Sequence, residues 1–267
     1  MKVLFIGDIV GSPGRRIVTE SVRELATEHA AELIIANCEN AAAGFGITPP
    51  LAQELLEAGI DVLTGGNHTF DRKEILPFFE GGGAGGRLLR PANYPAAPGS
   101  GVYVGKTKRG TPYAVLNIQG RVFMPTIDCP FKTADLLLAQ LPADVKVKIV
   151  DMHAETTSEK EAMGFYLDGR VSAVLGTHTH VPTADEKILP KGTAYITDVG
   201  MTGPYDSVIG NNVDAVLRRF LTSLPTRLEV AEGDVRLCGA LLDIDESSGR
   251  ARSIQRLENR NSKTENQ

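Results

Sequence analysis

The feature that most constrains the fold of this 267-residue chain is a recurring unit: a short apolar run, mostly β-branched, followed within a few residues by a carboxylate, amide or imidazole. Val3–Ile6, Leu33–Ala36, Val62–Leu63, Ala114–Ile118, Val147–Val150, Val171–Leu175 and Ala194–Ile196 are such runs. Their shortness, and their lack of polar alternation, predict strands buried on both faces. Helical patterns lie between some of them. Arg16–His29 carries Ile17, Val18, Val22, Leu25 and Ala26 at helical spacing, and Thr48-Pro49-Pro50 opens a second helix through Leu51, Leu55 and Leu56 that stops at Gly59. Strand, helix, strand is the rhythm of an α/β protein, so the N-terminal part is expected to form a parallel-type sheet covered by helices. Near the end, Arg227–Val230 and Val235–Ile244 alternate about Glu232-Gly233-Asp234, which predicts an antiparallel hairpin.

No linker or internal repeat divides the chain, so residues 1–258 are expected to form one domain, and residues 259–267 a polar, frayed tail. Gly81-Gly82-Gly83-Ala84-Gly85-Gly86 lacks the Lys-Ser/Thr that would make it a phosphate cradle and reads as a flexible surface loop. The net charge of −5, without a basic run, argues against stable DNA binding. The apolar runs fall far short of the roughly 20 residues that span a bilayer, and Asp8 comes too early for a secretory signal. Cys38, Cys129 and Cys238 are odd in number and widely spaced, which suits a reducing compartment and provides no Cys-x-x-Cys metal motif. A cytoplasmic protein is expected; its oligomeric state is left open, a homo-oligomer included.

Ligands in open α/β sheets bind beyond the carboxyl ends of the strands. Followed to that end, Val3–Ile6 leads to Asp8, Leu33–Ala36 to Glu39 and Asn40, Val62–Leu63 to Asn67 and His68, Val147–Val150 to His153, and Val171–Leu175 to His178 and His180. One lone histidine would usually be structural, but five coincident strand ends point to a site. Nitrogen and oxygen donors without thiolate suit divalent iron, manganese or zinc, and a carboxylate can bridge two ions about 3.5–4 Å apart. His178-Thr179-His180 is the sharpest local feature, because alternation in an extended segment would put both imidazoles on one face.

The ordered set Gly7-Asp8, Glu39-Asn40, Gly66-Asn67-His68, His153 and Gly176-Thr177-His178-Thr179-His180 resembles the signature of calcineurin-like binuclear metallophosphoesterases. Phe5-Ile6-Gly7-Asp8-Ile9-Val10-Gly11-Ser12-Pro13-Gly14, Glu39-Asn40-Ala41-Ala42-Ala43-Gly44, Asp168–Ala173 and Leu189–Asp206 resemble, more closely, the bacterial YmdB family, from Met1 to about Ile244. The resemblance implies a four-layer α-β-β-α sandwich of two mixed sheets, two metal ions, and hydrolysis of small phosphodiesters such as 2′,3′- or 3′,5′-cyclic nucleotides. It also implies that Asp8, Asn40 and His180 hold one metal, that Asn67, His153 and His178 hold the other, that Glu39 bridges them, and that His68 is the general acid. The superfamily's Asp-x-His reads Asp8-Ile9-Val10 here and its bridging Asp is Glu39. Asn40 offers a harder, neutral donor in place of the missing imidazole, which favours iron or manganese, with zinc third. Two divalent ions, Asp8, Glu39 and a shared hydroxide leave a net charge of about +1, matched to a phosphodiester monoanion.

Plainer readings compete residue by residue. Asp8 could cap the helix that follows, Asn67-His68 could be a turn, and Asn40 could orient Glu39 or bind substrate instead of binding metal. Arg121 and Asp128 follow the run Ala114–Ile118 and fit a substrate contact or a surface turn equally. His29 ends a helix and is expected at the surface. Serine or cysteine hydrolysis lacks its Gly-x-Ser-x-Gly elbow, and Gly7, Gly11 and Gly14 do not have dinucleotide-binding spacing. The remaining alternatives are a phosphomonoesterase or nucleotidase, and a regulatory protein whose metal centre is structural or senses a nucleotide.

Overall fold

Alternate residues of the first apolar run face two different cores: Val3 and Phe5 pack into one, Leu4 and Ile6 into another. That division is possible only for a strand covered on both sides, and it sets the layering of the whole chain. The computed structural model describes residues 1–81 and 83–260. Its elements are β1 (Lys2–Ile6), α1 (Gly11–Glu28), β2 (Leu33–Asn37), α2 (Pro49–Ala58), β3 (Val62–Thr64), α3 (Leu76–Glu80), β4 (Val102–Lys106), β5 (Pro112–Gln119), α4 (Pro130–Gln140), β6 (Val147–His153), α5 (Thr157–Leu167), β7 (Ala173–Thr177), β8 (Lys187–Ile188), β9 (Ala194–Ile196), β10 (Gly203–Pro204), α6 (Val213–Thr222), β11 (Val235–Ile244) and β12 (Ala251–Arg260).

The strands form two six-stranded sheets. The first runs β10-β11-β1-β2-β3, with β12 on β11; the second runs β4-β5-β6-β7-β9-β8. Each is mixed. β1, β2 and β3 are parallel, and β11 lies antiparallel to β1. β5, β6, β7 and β9 are parallel, with β4 and β8 antiparallel at the edges. Between the sheets lies a core of Phe5, Leu33, Ile35, Val115, Ile149, Leu175 and Ala240 among others. Ile17, Val18, Leu55 and Leu56 pack α1 and α2 on the outside of the first sheet. Met163 and Leu167 of α5, with Ala134 of α4, cover the second sheet. The result is the expected α-β-β-α sandwich.

Several local expectations shift. Val235–Ile244 is a strand, but its hairpin partner is Ala251–Arg260, and of Arg227–Val230 only Val230 makes a bridge, to Asn211. The seventh strand runs from Ala173 to Thr177, two residues later than the apolar run, with Val171 bridged to Asp168. α1 begins at Gly11 instead of Arg16, and Thr48 stands at the start of α2 without a side-chain cap. Gly83–Arg87 forms a 3-10 turn instead of an open loop. A Cβ on Gly85 would lie 2.0 Å from the carbonyl oxygen of Phe78, so the glycine there permits close backbone packing. Gly82 and the tail beyond Arg260 lie outside the described residues, while Asn259 and Arg260 complete β12.

Candidate metal centre

Both sheets direct the carboxyl ends of their parallel strands to the same side of the molecule. Asp8 follows β1, Glu39 and Asn40 follow β2, and Asn67 and His68 follow β3. From the other sheet, His153 ends β6, and His178 and His180 follow β7. All eight residues singled out in the sequence meet there. Asp8, Glu39, Asn40 and His153 are buried, whereas the side chain of His68 is 28% exposed and that of His180 is 10% exposed.

One half of the cluster gathers around His153. Its Nε2 lies 3.1 Å from Oε1 of Glu39 and 3.0 Å from Oδ1 of Asn67. Ligand atoms of Glu39, His153 and His178 all fall within 4.8 Å of one another. The other half gathers around His180, whose Nε2 is 3.0 Å from Asn40 Nδ2 and 3.9 Å from Asp8 Oδ1. Glu39 joins the halves, accepting from Asn40 Nδ2 at 3.3 Å and from the backbone N–H of His68 at 3.0 Å.

The surroundings decide which atoms of the imidazoles can serve. His180 Nδ1 lies 2.9 Å from the carbonyl oxygen of Ile209. A carbonyl only accepts, so Nδ1 carries the proton and Nε2 keeps its lone pair. For His153 the argument takes one more step. Thr177 Oγ1 donates to Asp151 Oδ1 at 2.6 Å, and therefore accepts from His153 Nδ1 at 2.9 Å, which again turns Nε2 toward the cluster. A carboxylate behind an imidazole is the usual device for fixing a ligand histidine; here a threonine hydroxyl relays it.

Electrostatics point the same way. Burial pushes the carboxyl of Asp8 up to about 6, against the pull of His180 and His153. Burial opposes ionisation of Glu39 most strongly, but His153 and His68 together hold that carboxyl at about 2, while His153 itself is raised to about 9 by Glu39, Asp8 and Asp151 against its burial. A proton on His153 Nε2 thus sits among acceptors from Glu39 and Asn67, where a cation could replace it. Burial and the neighbouring His153 hold His178 down at about 3. Oδ1 of Asp8 and Oδ1 of Asn40 are buried with no hydrogen-bond partner. Two orphaned oxygen acceptors beside imidazole nitrogens fit a cation site, since buried acceptors left unpaired are otherwise costly.

The expected extended geometry of His178-Thr179-His180 does not occur. β7 ends at Thr177, and His178 and His180 have φ of 95° and 66°. Such left-handed backbone at non-glycine residues costs on the order of 1–3 kcal/mol each and clusters at functional sites. Several contacts hold the loop: the His178 N–H donates to Asp8 Oδ2 at 3.2 Å, and the Met201 N–H donates to the His180 carbonyl at 3.1 Å. The segment Met201–Asp206 also lies against the cluster, with Thr202 N–H donating to the Asp8 carbonyl at 2.8 Å.

Three participants escaped the sequence reading. Asp151 stands two residues before His153 on the same strand, a same-face spacing that could have flagged it. Thr177 lies inside the Gly176-Thr177-His178-Thr179-His180 motif, where it reads as a spacer before the histidines. Glu155 places Oε2 3.0 Å from His178 Nε2, on a half-exposed side chain that nothing in its neighbourhood singles out. Cys38 adjoins Glu39 but packs into the helix-side core, where burial pushes its thiol well above the ordinary range and away from thiolate ligation. Arg121 and Val122 are held through their N–H groups by Glu159, at 3.1 Å for Arg121 and 3.2 Å for Val122.

Comparison with known proteins agrees with this geometry. A model of the family described as YmdB-like protein matches residues 4–257. A Bacillus subtilis protein named 2′,3′-cyclic-nucleotide 2′-phosphodiesterase is 50% identical over 258 residues, covering 96% of each chain. A Thermus thermophilus crystal structure of a hypothetical protein superposes with a TM-score of 0.90 at 43% identity, covering 97% of this chain and 99% of the other. A Mycoplasma pneumoniae structure described as a novel phosphatase gives a TM-score of 0.90 at 35% identity, covering 97% and 93%. With a family match over nearly its whole length and the strand-end cluster in place, the chain belongs to the YmdB-like protein family.

Proposed function

We propose that this protein is a metal-dependent phosphoric diester hydrolase whose substrates are 2′,3′-cyclic nucleotides, the class named for its Bacillus subtilis relative. In this reading Asp8, Asn40 and His180 would hold one divalent ion, Asn67, His153 and His178 would hold a second, and Glu39 would serve both. The observation that carries it is the pair of buried, partnerless oxygens on Asp8 and Asn40, set among imidazole nitrogens where the two sheets converge. The donor set has no thiolate, and the amide oxygen of Asn40 is a harder donor than an imidazole, which favours iron or manganese over zinc. Cytoplasmic residence is part of the same proposal, supported by three free cysteines.

Bound divalent ions would supply a hydroxide nucleophile at neutral pH and offset charge developing on the phosphoryl oxygens. The protein's own part is orientation and proton transfer. His68 is tied to the cluster by its N–H to Glu39, its ring is edge-on to Phe45 at 5.1 Å, and its Nδ1 is fixed by Asp71 Oδ2 at 2.8 Å. Nε2 is then the nitrogen left to protonate the departing ribose oxygen. Such general acid catalysis contributes roughly 10²–10⁴-fold.

Protein reconstituted separately with iron, manganese and zinc should hydrolyse bis-p-nitrophenyl phosphate and a 2′,3′-cyclic nucleotide in preference to p-nitrophenyl phosphate, most strongly with iron or manganese. Preference for the monoester would replace the diesterase reading with a phosphomonoesterase, and metal binding with no turnover would favour a regulatory protein. His68→Ala is expected to lower turnover by roughly 10²–10⁴-fold with metal content unchanged; loss of the metal as well would move His68 into the coordination shell.

A further inference from the structure

Lys160 of α5 is among the largest fully buried side chains, with 0% exposure. Its Nζ lies 2.8 Å from Oδ2 of Asp198, itself buried, and 3.5 Å from the hydroxyl of Thr179. The same Oδ2 accepts from both the N–H of Thr179, at 3.1 Å, and its Oγ1, at 2.6 Å, while Oδ1 accepts from the N–H of Gly200 at 2.8 Å. Thr179 is the residue between His178 and His180, and both of those have left-handed backbone. Every polar arm of the ion pair therefore ends on the loop that carries the two histidines, or on its neighbour Gly200.

A buried ion pair is weak evidence for stability, because a well-packed apolar pair of similar volume often serves as well. What it can specify is geometry. A carboxylate with two contacts to Thr179 fixes the central residue from behind. Its neighbours must then turn the other way, into the cluster. The 2.8 Å contact of Lys160 Nζ with the equally buried Asp198 is charge-assisted, and such contacts are stronger in the interior than in water, so the clamp is a firm one.

We propose that Lys160, acting through Asp198 and Thr179, is a positioning residue for the metal centre: it locks the His178-Thr179-His180 loop in the conformation that presents one imidazole to each metal. The inference rests on the binuclear reading above. Isothermal titration with Mn²⁺ and the electron paramagnetic resonance spectrum of the bound manganese test both in sequence. Wild-type protein must first bind two coupled ions; failure there refutes the binuclear reading, independently of Lys160.

Given that result, Lys160→Met and Thr179→Val are expected to weaken Mn²⁺ binding about 10–100-fold, the range typical of groups that orient ligands from behind, and to convert the coupled signal to that of isolated ions. Thr179→Ser, which keeps the hydroxyl, should restore wild-type affinity and coupling. A merely structural role would lower the melting temperature and leave affinity and coupling intact in the folded protein. That outcome overturns the proposal. Should Lys160→Met fail to fold, near-isosteric Thr179→Val decides alone: unchanged Mn²⁺ affinity in that variant rejects the clamp.

Discussion

Gly66 shows how much the centre depends on a side chain that is missing. A Cβ there would stand 2.2 Å from Glu39 Oε2, 2.2 Å from His153 Nε2 and 2.4 Å from His153 Cδ2. Neither neighbour can yield easily: Glu39 accepts from the N–H of His68, and the ring of His153 is pinned through Thr177. Gly66→Ala should therefore displace a ligand and leave the rest of the sandwich intact. The expected result is loss of metal at the His153 half and a fall in activity of about 100-fold or more, the upper end of what a misplaced ligand costs, with the far-ultraviolet circular dichroism unchanged. Elemental analysis of the purified variant checks it; a Gly66→Ala protein that retains both ions would show that the cluster is looser than its distances imply.

At the scale of elements, Asp151 is a polar tie between the two sheets. From β6 it accepts from Thr177 of β7 at 2.6 Å, from Thr64 of β3 at 2.5 Å and from Asn37 of β2 at 3.0 Å. Asp151→Ala leaves three buried donors without that acceptor, each worth about 1–3 kcal/mol, so a loss of roughly 3 kcal/mol or more is expected from urea unfolding. Asp151→Asn, which keeps one carbonyl oxygen, should lose less. Equal midpoints for Asp151→Ala and the wild type would sink the idea of a tie. The elements themselves were largely legible, because β1, β2, β5, β6 and β9 are buried on both faces and so carry short apolar runs. β12 was not. It sits at the sheet edge with half its residues exposed, and charges such as Glu258, paired with Arg236 at 3.4 Å, hide its period. The site residues were legible because they follow strand ends directly. The loop conformation of His178 and His180 was not, since it is imposed by Asp8, Asp198 and Met201 from distant parts of the chain. Lys160 was invisible for a related reason: a lysine in a helix reads as solvent-facing until its partner is known.

Taken as a whole, the molecule is two sheets that share one apolar core and bring their candidate ligands together at one end. Asp8, Glu39, Asn40 and Asn67 come from the first sheet, and His153, His178 and His180 from the second. Any ion held by residues of both sets would staple the sheets where the core gives way to polar side chains. Without it, Asp8 Oδ1 and Asn40 Oδ1 stay buried and unpaired. Ligands that bind only the folded state stabilise it by mass action, about 4 kcal/mol per site when the free ion is at 1,000 times its dissociation constant. At roughly 2–4 °C per kcal/mol for chains of this size, chelation of both ions should lower the melting temperature by on the order of 20 °C. Scanning calorimetry of loaded and chelated protein measures this. Amide hydrogen exchange should place the loosening in the segments after β1, β2, β3 and β7, with the central strand residues that face the shared core still protected, because their burial does not depend on the ions. Equal midpoints, with metal removal verified by elemental analysis, would mean that the sandwich closes its polar end unaided and that any ions bound there contribute no stability.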